Sequence, residues 1–478
     1  MIYSEEQINA FTAYTQGTNI FITGPGGTGK TALIKYIQKD AVRKGFQIQV
    51  CALTGCAAVL LECKAKTLHS WASIGLGTSS LEQLVTKIMK NRYAKDNWKN
   101  TDILVVDEVS MMSQKLFELL DAIGKTVRKN NKPFGGIQLI FSGDFYQLPP
   151  VGDKDDPETV KFCFESMLWS QTFSKKNHIQ LTKIFRQSDP VYQKILNQIR
   201  EGKLKRSSNE ALLHNVGRQF AVDKEVRPTK LFPTRNKVEQ VNTKEMNGLK
   251  MDELEYKLKY HSDLEMTATE IVKRRQFTRE QIQTELLYLK ANLRCDEVVK
   301  LKVGAQVMCI VNIELDNGQT LCNGSQGVIT RLSEQGLPVV KFSSLGSTFE
   351  TIMGYHVWPS ENIPGIGVSQ LPLILAWALT IHKSQGATLD IAEIDAGSGI
   401  FECGQTYVAL SRVKSLEGLY LTSFDASKIK VSRKVQEFYN SISVSDKEEE
   451  AIVTKAIAVV EPIAIPIVVA VPINEENA

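Results

Sequence analysis

The sequence lacks the marks of several protein classes. None of its eight cysteines forms a Cys-x-x-Cys pair, and no histidine stands at zinc-ligand spacing beside them. A disulfide scaffold and a structural zinc site are therefore not expected, and the thiols read as reduced in an intracellular protein. No clean apolar run reaches the about 20 residues that a membrane span needs. The nearest, 451–473, is interrupted by Lys455 and Glu461 and broken by Pro462, Pro466 and Pro472, so residues 441–478 read as an extended or flexible tail. The opening residues 1–7 are acidic and hold no apolar core, which disfavours a secretory signal or transit peptide. Internal repeats are missing. So is an excess of one charge: 57 Lys and Arg stand against 53 Asp and Glu, a net +4. Any phosphate-binding surface must then be a local stripe.

What is present is globular: 43% hydrophobic and 23% charged residues over a 478-residue chain, a length that suits about three domains. A short apolar run at 19–23 precedes Gly24-Pro25-Gly26-Gly27-Thr28-Gly29-Lys30-Thr31 and a helical stretch. Apolar runs recur at 47–53, 103–106 and 137–141, with helical patterns between them. Continuous apolar strands alternating with helices indicate an α/β fold, a parallel sheet covered on both faces. Residues 242–296 are rich in Glu, Lys, Leu and Gln and are expected to be mostly helical. From 300 to 358, short alternating runs broken by Asn317-Gly318, Asn323-Gly324 and Gln335-Gly336 predict a small β-barrel. The α/β pattern returns after Pro372, so the β-module reads as an insertion in a second α/β domain.

The segment 24–31 matches the phosphate-binding pattern Gly-x-x-x-x-Gly-Lys-Thr in full. Its glycines let backbone N–H groups turn toward phosphate oxygens, and the following helix presents its positive end to the same anion. Lys30 is expected to reach the β- and γ-phosphates and Thr31 to ligate Mg²⁺. The strand at 103–106 ends in Asp107 and Glu108. At a strand's carboxyl end these would face the phosphate loop, Asp107 toward Mg²⁺ and Glu108 toward the attacking water. A second strand end, 139–150, offers Gln147 as a γ-phosphate sensor and Asp144 as a relay. Arg186 and Arg412 are candidate arginine fingers, able to act when the cleft closes.

Ten motifs in this order resemble those of superfamily 1 DNA helicases, in the petite-integration-frequency branch related to RecD and Dda. They lie at 24–31, 54–58, 67–71, 107–111, 133–138, 143–150, 185–187, 234–236, 380–386 and 409–412. The resemblance covers roughly residues 1 to 425. It implies two RecA-like domains, 1–185 and 186–440, with a helical insertion at about 243–299 and an SH3-like β-module at about 300–360. It implies ATP-driven 5′-to-3′ movement on single-stranded DNA and unwinding of forked or tailed duplexes, with ATP and Mg²⁺ as cofactors and no membrane partner. Replication, repair, recombination and telomere maintenance all suit such a motor. The implied catalytic set is Lys30, Asp107, Glu108, Gln147, Arg186 and Arg412. The nucleotide set is Gln7, Gly24, Gly26, Gly27, Thr28, Gly29, Lys30, Thr31 and Gly386, with Gln7 reading adenine. Thr31 and Asp107 would hold the metal. Thr54, His69, Trp71, His382 and Lys383 would touch DNA. Two other readings use much of the same site: a viral-type superfamily 1 RNA helicase, and a DNA-stimulated ATPase that remodels complexes without unwinding.

Overall fold

The computed structural model describes residues 4–442 except 55–56, 59–60, 62, 64, 76, 78, 153–154, 221–225, 294, 315–319, 345–346 and 361–362. Most of the tail, from 443, lies outside the described residues.

Six strands form the first sheet: β1 (Ile20–Thr23), β2 (Ile48–Ala52), β3 (Lys66–Thr67), β4 (Ile103–Asp107), β5 (Gln138–Ser142) and β6 (His178–Gln180). Their order is β3-β2-β4-β5-β1-β6, and every pairing is parallel. All residues of β1 and β4 are buried, as the continuous apolar runs require of a sheet covered on both faces. The helix Gln114–Arg128 covers one face. Ser113 caps its start, and Phe117, Leu120, Ile123 and Val127 recur at helical spacing on its buried side. Gly124 lets this helix touch the backbone of Phe134, where a Cβ would lie 2.7 Å from a backbone carbon. The strand order sets the carboxyl ends of β4, β5 and β1 side by side. The loops that follow these three strands thus share one edge.

A second sheet is also parallel, in the order Ala378–Thr380, Thr229–Phe232, Ala392–Ala396, Leu419–Phe424. The helices Pro190–Arg200 and Gln405–Leu410 share its apolar core through Tyr192, Ile195, Tyr407 and Val408. Between its strands lies an antiparallel sheet of five, in the order Ser347–Ile352, Pro338–Ser344, Gln326–Leu332, Gln306–Cys309, Leu373–Leu375. Val307, Ile329, Val340 and Phe342 belong to a separate core.

Two expectations change. The stretch at 243–299 does hold helices, Ala268–Arg274 and Arg279–Asn292, but Leu254–Lys257 and Lys259–His261 are strands. Leu254, Tyr256, Leu258 and Tyr260 alternate there with Glu255, Lys257 and Lys259. That two-residue period outweighs a composition that favours helix. The second change concerns the helix at 433–442, which the resemblance placed in the second domain as far as 440, with 441 and 442 read as tail. Val435, Tyr439 and Ile442 sit in the core of the first. The Tyr439 hydroxyl shares a hydrogen bond of 2.5 Å with Thr23 Oγ1 and accepts from the Phe145 N–H at 3.1 Å.

This packing makes Tyr439 a stability determinant far from it in sequence. Tyr439→Ala should destabilise the first domain by about 3–5 kcal/mol, as expected for emptying an aromatic site in a core. Tyr439→Phe, which loses only the hydroxyl bonds, should cost about 1–3 kcal/mol. Urea unfolding followed by circular dichroism measures both, and equal losses would mean that the ring contributes nothing.

Candidate active site

The glycine-rich turn follows β1 directly. Gly24, Gly27 and Gly29 have φ of 139°, 86° and 82°, where glycine suffers no Cβ clash. A Cβ on Gly27 would lie 2.5 Å from the Arg186 Cβ, so only glycine lets the loop pass so close to that arginine. The helix Lys30–Arg43 begins after Gly29 with no side-chain cap. Its first N–H groups and the positive end of its dipole are thus left for an anion. Lys30 Nζ donates to the carbonyls of Gly24 and Pro25 at 2.7 and 3.0 Å. Burial pulls its pKa below the ordinary lysine range, against the opposing charges of Asp144, Glu108 and Asp107.

Asp107 closes β4, and the next residue takes a left-handed turn: Glu108 has φ 56° and ψ 39°. A non-glycine residue in that conformation is strained, as side chains at functional sites often are. The turn sets both carboxylates against one cleft. Burial raises the Asp107 pKa. Glu108 is pushed up to about 7, by burial first and by the charge of Asp107 second. Lys30 and Arg412 counter this only in part. Burial and mutual repulsion thus disfavour charge on both carboxyls, and a divalent cation between them would restore the charged form.

The cleft has a volume of about 880 Å³. Its walls bring together Gly26 to Thr31, Asp107, Glu108, Gln147, Arg186 and Arg412, with Thr54, His382, Lys383 and Gly386. These come from both sheets. A Cβ on Gly26 would lie 3.5 Å from Arg186 Nη1 and 3.7 Å from Arg412 Nη2, so both arginines converge on the loop. Gln147 is buried, and its Oε1 has no hydrogen-bond partner among the described residues. His382, Lys383 and Thr31 are exposed on the cleft.

Other expected residues lie elsewhere. Gln7 is buried beside the loop, its Nε2 donating to the Thr28 carbonyl at 3.4 Å and its Oε1 accepting from the Ser4 N–H at 3.0 Å. These two bonds use one N–H and one lone pair of the amide, which has a second of each. Gly24 packs against the Leu181 carbonyl behind the cleft. His69 is half-buried on the helix Leu68–Ala72, and burial lowers its pKa. Trp71 requires a correction. It is 1% exposed, with its ring 4.6 Å from that of Trp98 in the first core. Its face is taken by apolar neighbours, so it offers no platform for a base.

Two residues, Arg200 and Tyr407, were missed by sequence reasoning. Arg200 is buried and pairs with both oxygens of Asp144, each at 2.8 Å. Its guanidinium lies 4.4 Å from the Tyr146 ring and 5.2 Å from the Tyr439 ring. Tyr407 places its hydroxyl on the Gly26 N–H at 2.8 Å. Nothing local in the sequence marks these side chains, because their partners lie in other elements.

Comparison with known proteins gives the same picture. Residues 3–210 match the PIF1-like helicase family, and residues 286–332 match the 2B domain of DNA helicase Pif1. The chain is 32% identical to the ATP-dependent DNA helicase RRM3 of Saccharomyces cerevisiae, over 89% of this chain and 65% of that protein. It is 36% identical to the human ATP-dependent DNA helicase PIF1, over 92% of this chain and 64% of that protein. The chain thus spans just under two-thirds of the length of these relatives. The crystal structure of Pif1 helicase from Candida albicans superimposes with a TM-score of 0.71 at 34% identity, covering 92% of this chain and all of that one. Bacteroides Pif1 in complex with ADP-AlF4 gives 0.73 at 27% identity, over 93% of this chain and 98% of that one. With a third of its residues shared along nearly its whole length and the fold matched over the same span, the chain belongs to the PIF1-like helicase family.

Proposed function

We propose that this chain is an ATP-hydrolysing DNA helicase that moves 5′-to-3′ on single strands and opens forked or tailed duplexes. The observation that carries this reading is the convergence, in one cleft, of a phosphate loop, a carboxylate pair and two arginines drawn from two parallel sheets. Lys30 and the loop N–H groups hold the phosphates. Thr31 and Asp107 would hold Mg²⁺, which neutralises charge on the β- and γ-oxygens. Glu108 orients and polarises the attacking water, with Gln147 beside it. Arg186 and Arg412 meet the charge that develops on the transferring phosphoryl.

The DNA side rests on Thr54, His382 and Lys383, which share the cleft wall with the nucleotide residues, and on His69. Relatives support it: one solved structure is of Bacteroides Pif1 bound to ssDNA, and another describes unwinding at forked dsDNA by two Pif1 helicases. Contacts of this kind go to phosphates, so binding should be largely independent of base sequence and weaken with salt. We read the five-stranded antiparallel sheet as the SH3-like module of the family, beside the strand track.

Three outcomes follow. Lys30→Ala should abolish ATP hydrolysis while single-strand binding, read by fluorescence anisotropy, stays within about twofold, because the ammonium serves the phosphates. Parallel loss of DNA binding would show that the lysine is misassigned. Arg412→Ala should lower kcat on the order of 10³-fold with little change in KM, since a finger acts on transition-state charge. A change confined to KM would contradict that role. Unwinding should require a 5′ single-stranded tail. Strand-separation assays on 5′- and 3′-tailed duplexes, and on matched RNA duplexes, test polarity and substrate together. Opening of 3′-tailed DNA alone, or of RNA alone, would overturn the reading, as would DNA-stimulated hydrolysis without unwinding.

A further inference from the structure

Tyr407 lies on the short helix Gln405–Leu410, in the same stretch as Arg412. It is 2% exposed. Its hydroxyl oxygen accepts the Gly26 N–H at 2.8 Å, a donor of the phosphate loop. The same point is where the arginines meet: a Cβ on Gly26 would lie 3.5 Å from Arg186 Nη1, 3.7 Å from Arg412 Nη2 and 3.7 Å from Tyr407 Oη. Arginines of this kind address the phosphoryl group that is transferred. The phenol oxygen therefore stands where an oxygen of a terminal phosphate would go. Burial and the charge of Asp144 push its pKa up, so it is a neutral oxygen. A phosphate oxygen is charged, and charge-assisted hydrogen bonds are about twice as strong as neutral ones.

We propose that Tyr407 is a latch that competes with the terminal phosphate of a nucleoside triphosphate for the Gly26 N–H. A triphosphate displaces the phenol; a diphosphate, which lacks that group, leaves it in place. The inference rests on the reading of this cleft as the ATP site. The latch is tied to the arginine finger through fixed backbone. Tyr192 Oη donates to the Leu410 carbonyl at 2.7 Å, and Gln187 Nε2 donates to the carbonyls of Ser411 and Val413 at 3.1 and 3.0 Å. Tyr407 and Arg412 thus project from one anchored segment toward the same loop.

Tyr407→Phe tests this, because it keeps the buried ring and removes only the hydroxyl. Titration calorimetry of the full chain with ATPγS and with ADP reads the effect, and thermal denaturation confirms folding. Loss of one competing hydrogen bond should tighten ATPγS binding about 3- to 10-fold and leave ADP unchanged. Unchanged or weaker ATPγS binding would overturn the latch. So would an equal gain for both nucleotides, which a general loosening of the cleft would produce. Tyr407→Leu, should the Phe variant fold poorly, must show the same selective gain. Wild-type protein that binds neither nucleotide would instead sink the ATP-site reading, a separate failure.

Discussion

The pairing of Asp144 with Arg200 is the constraint on which the two-domain arrangement depends. Asp144 follows a strand of the first sheet, and Arg200 ends a helix packed on the second. Both are buried, and both oxygens of the carboxylate are engaged. Taking two charges out of water costs several kcal/mol per ion, and only close, fully bonded geometry offsets it. Removal of either partner with the join intact would leave an unpaired buried charge. The stacked rings of Tyr146 and Tyr439, 4.7 Å apart, exclude water from the pair and face the guanidinium. Tyr439 comes from the helix at 433–442, so the end of the described chain fastens the join between its two halves.

That join decides what the cleft can do. A phosphate loop binds an anion by itself, but stabilising a transferring phosphoryl requires cations on its other side. Arg186 and Arg412 reach the loop because the second domain is held against the first. The Arg186 Nη1 donates to the Ser411 carbonyl at 3.2 Å, next to Arg412. The two arginines are therefore positioned relative to each other as well as to the loop. On the opposite side, the strained turn at Glu108 sets both carboxylates at the end of one strand of the first sheet, with Gln385 and Arg412 of the second domain facing Glu108. The proposed catalytic set thus draws its carboxylates from one sheet and its arginines from the contact between two.

The β-module enters the same account. Asn323, Gly324 and Ser325 line the cleft, and a Cβ on Gly324 would lie 2.5 Å from the Thr388 carbonyl. Gly324 has φ 100°. The inserted sheet is therefore seated on the segment after Lys383 by a glycine contact, and its edge reaches the nucleotide side of the domain. A hairpin signal in sequence announces a turn; it does not announce what the turn touches.

The sequence by itself determined the parallel sheets, the phosphate loop and the carboxylate pair. Each depends on neighbours in the chain: an apolar run that must be buried on both faces, glycines that supply positive φ before a helix, and acids at a strand's carboxyl end. It also carried a resemblance to the family that the comparisons show. It misled where a local average hid a pattern, at 254–261, and where a side chain's surroundings come from distant elements, as for Trp71. Only the tertiary structure decided that Arg200 meets Asp144, that Tyr439 caps the first core and that Tyr407 reaches Gly26. Those contacts join residues 56, 416 and 381 positions apart. Burial and charge compensation act through space at a few ångströms, and a linear pattern carries no record of which distant side chain completes them.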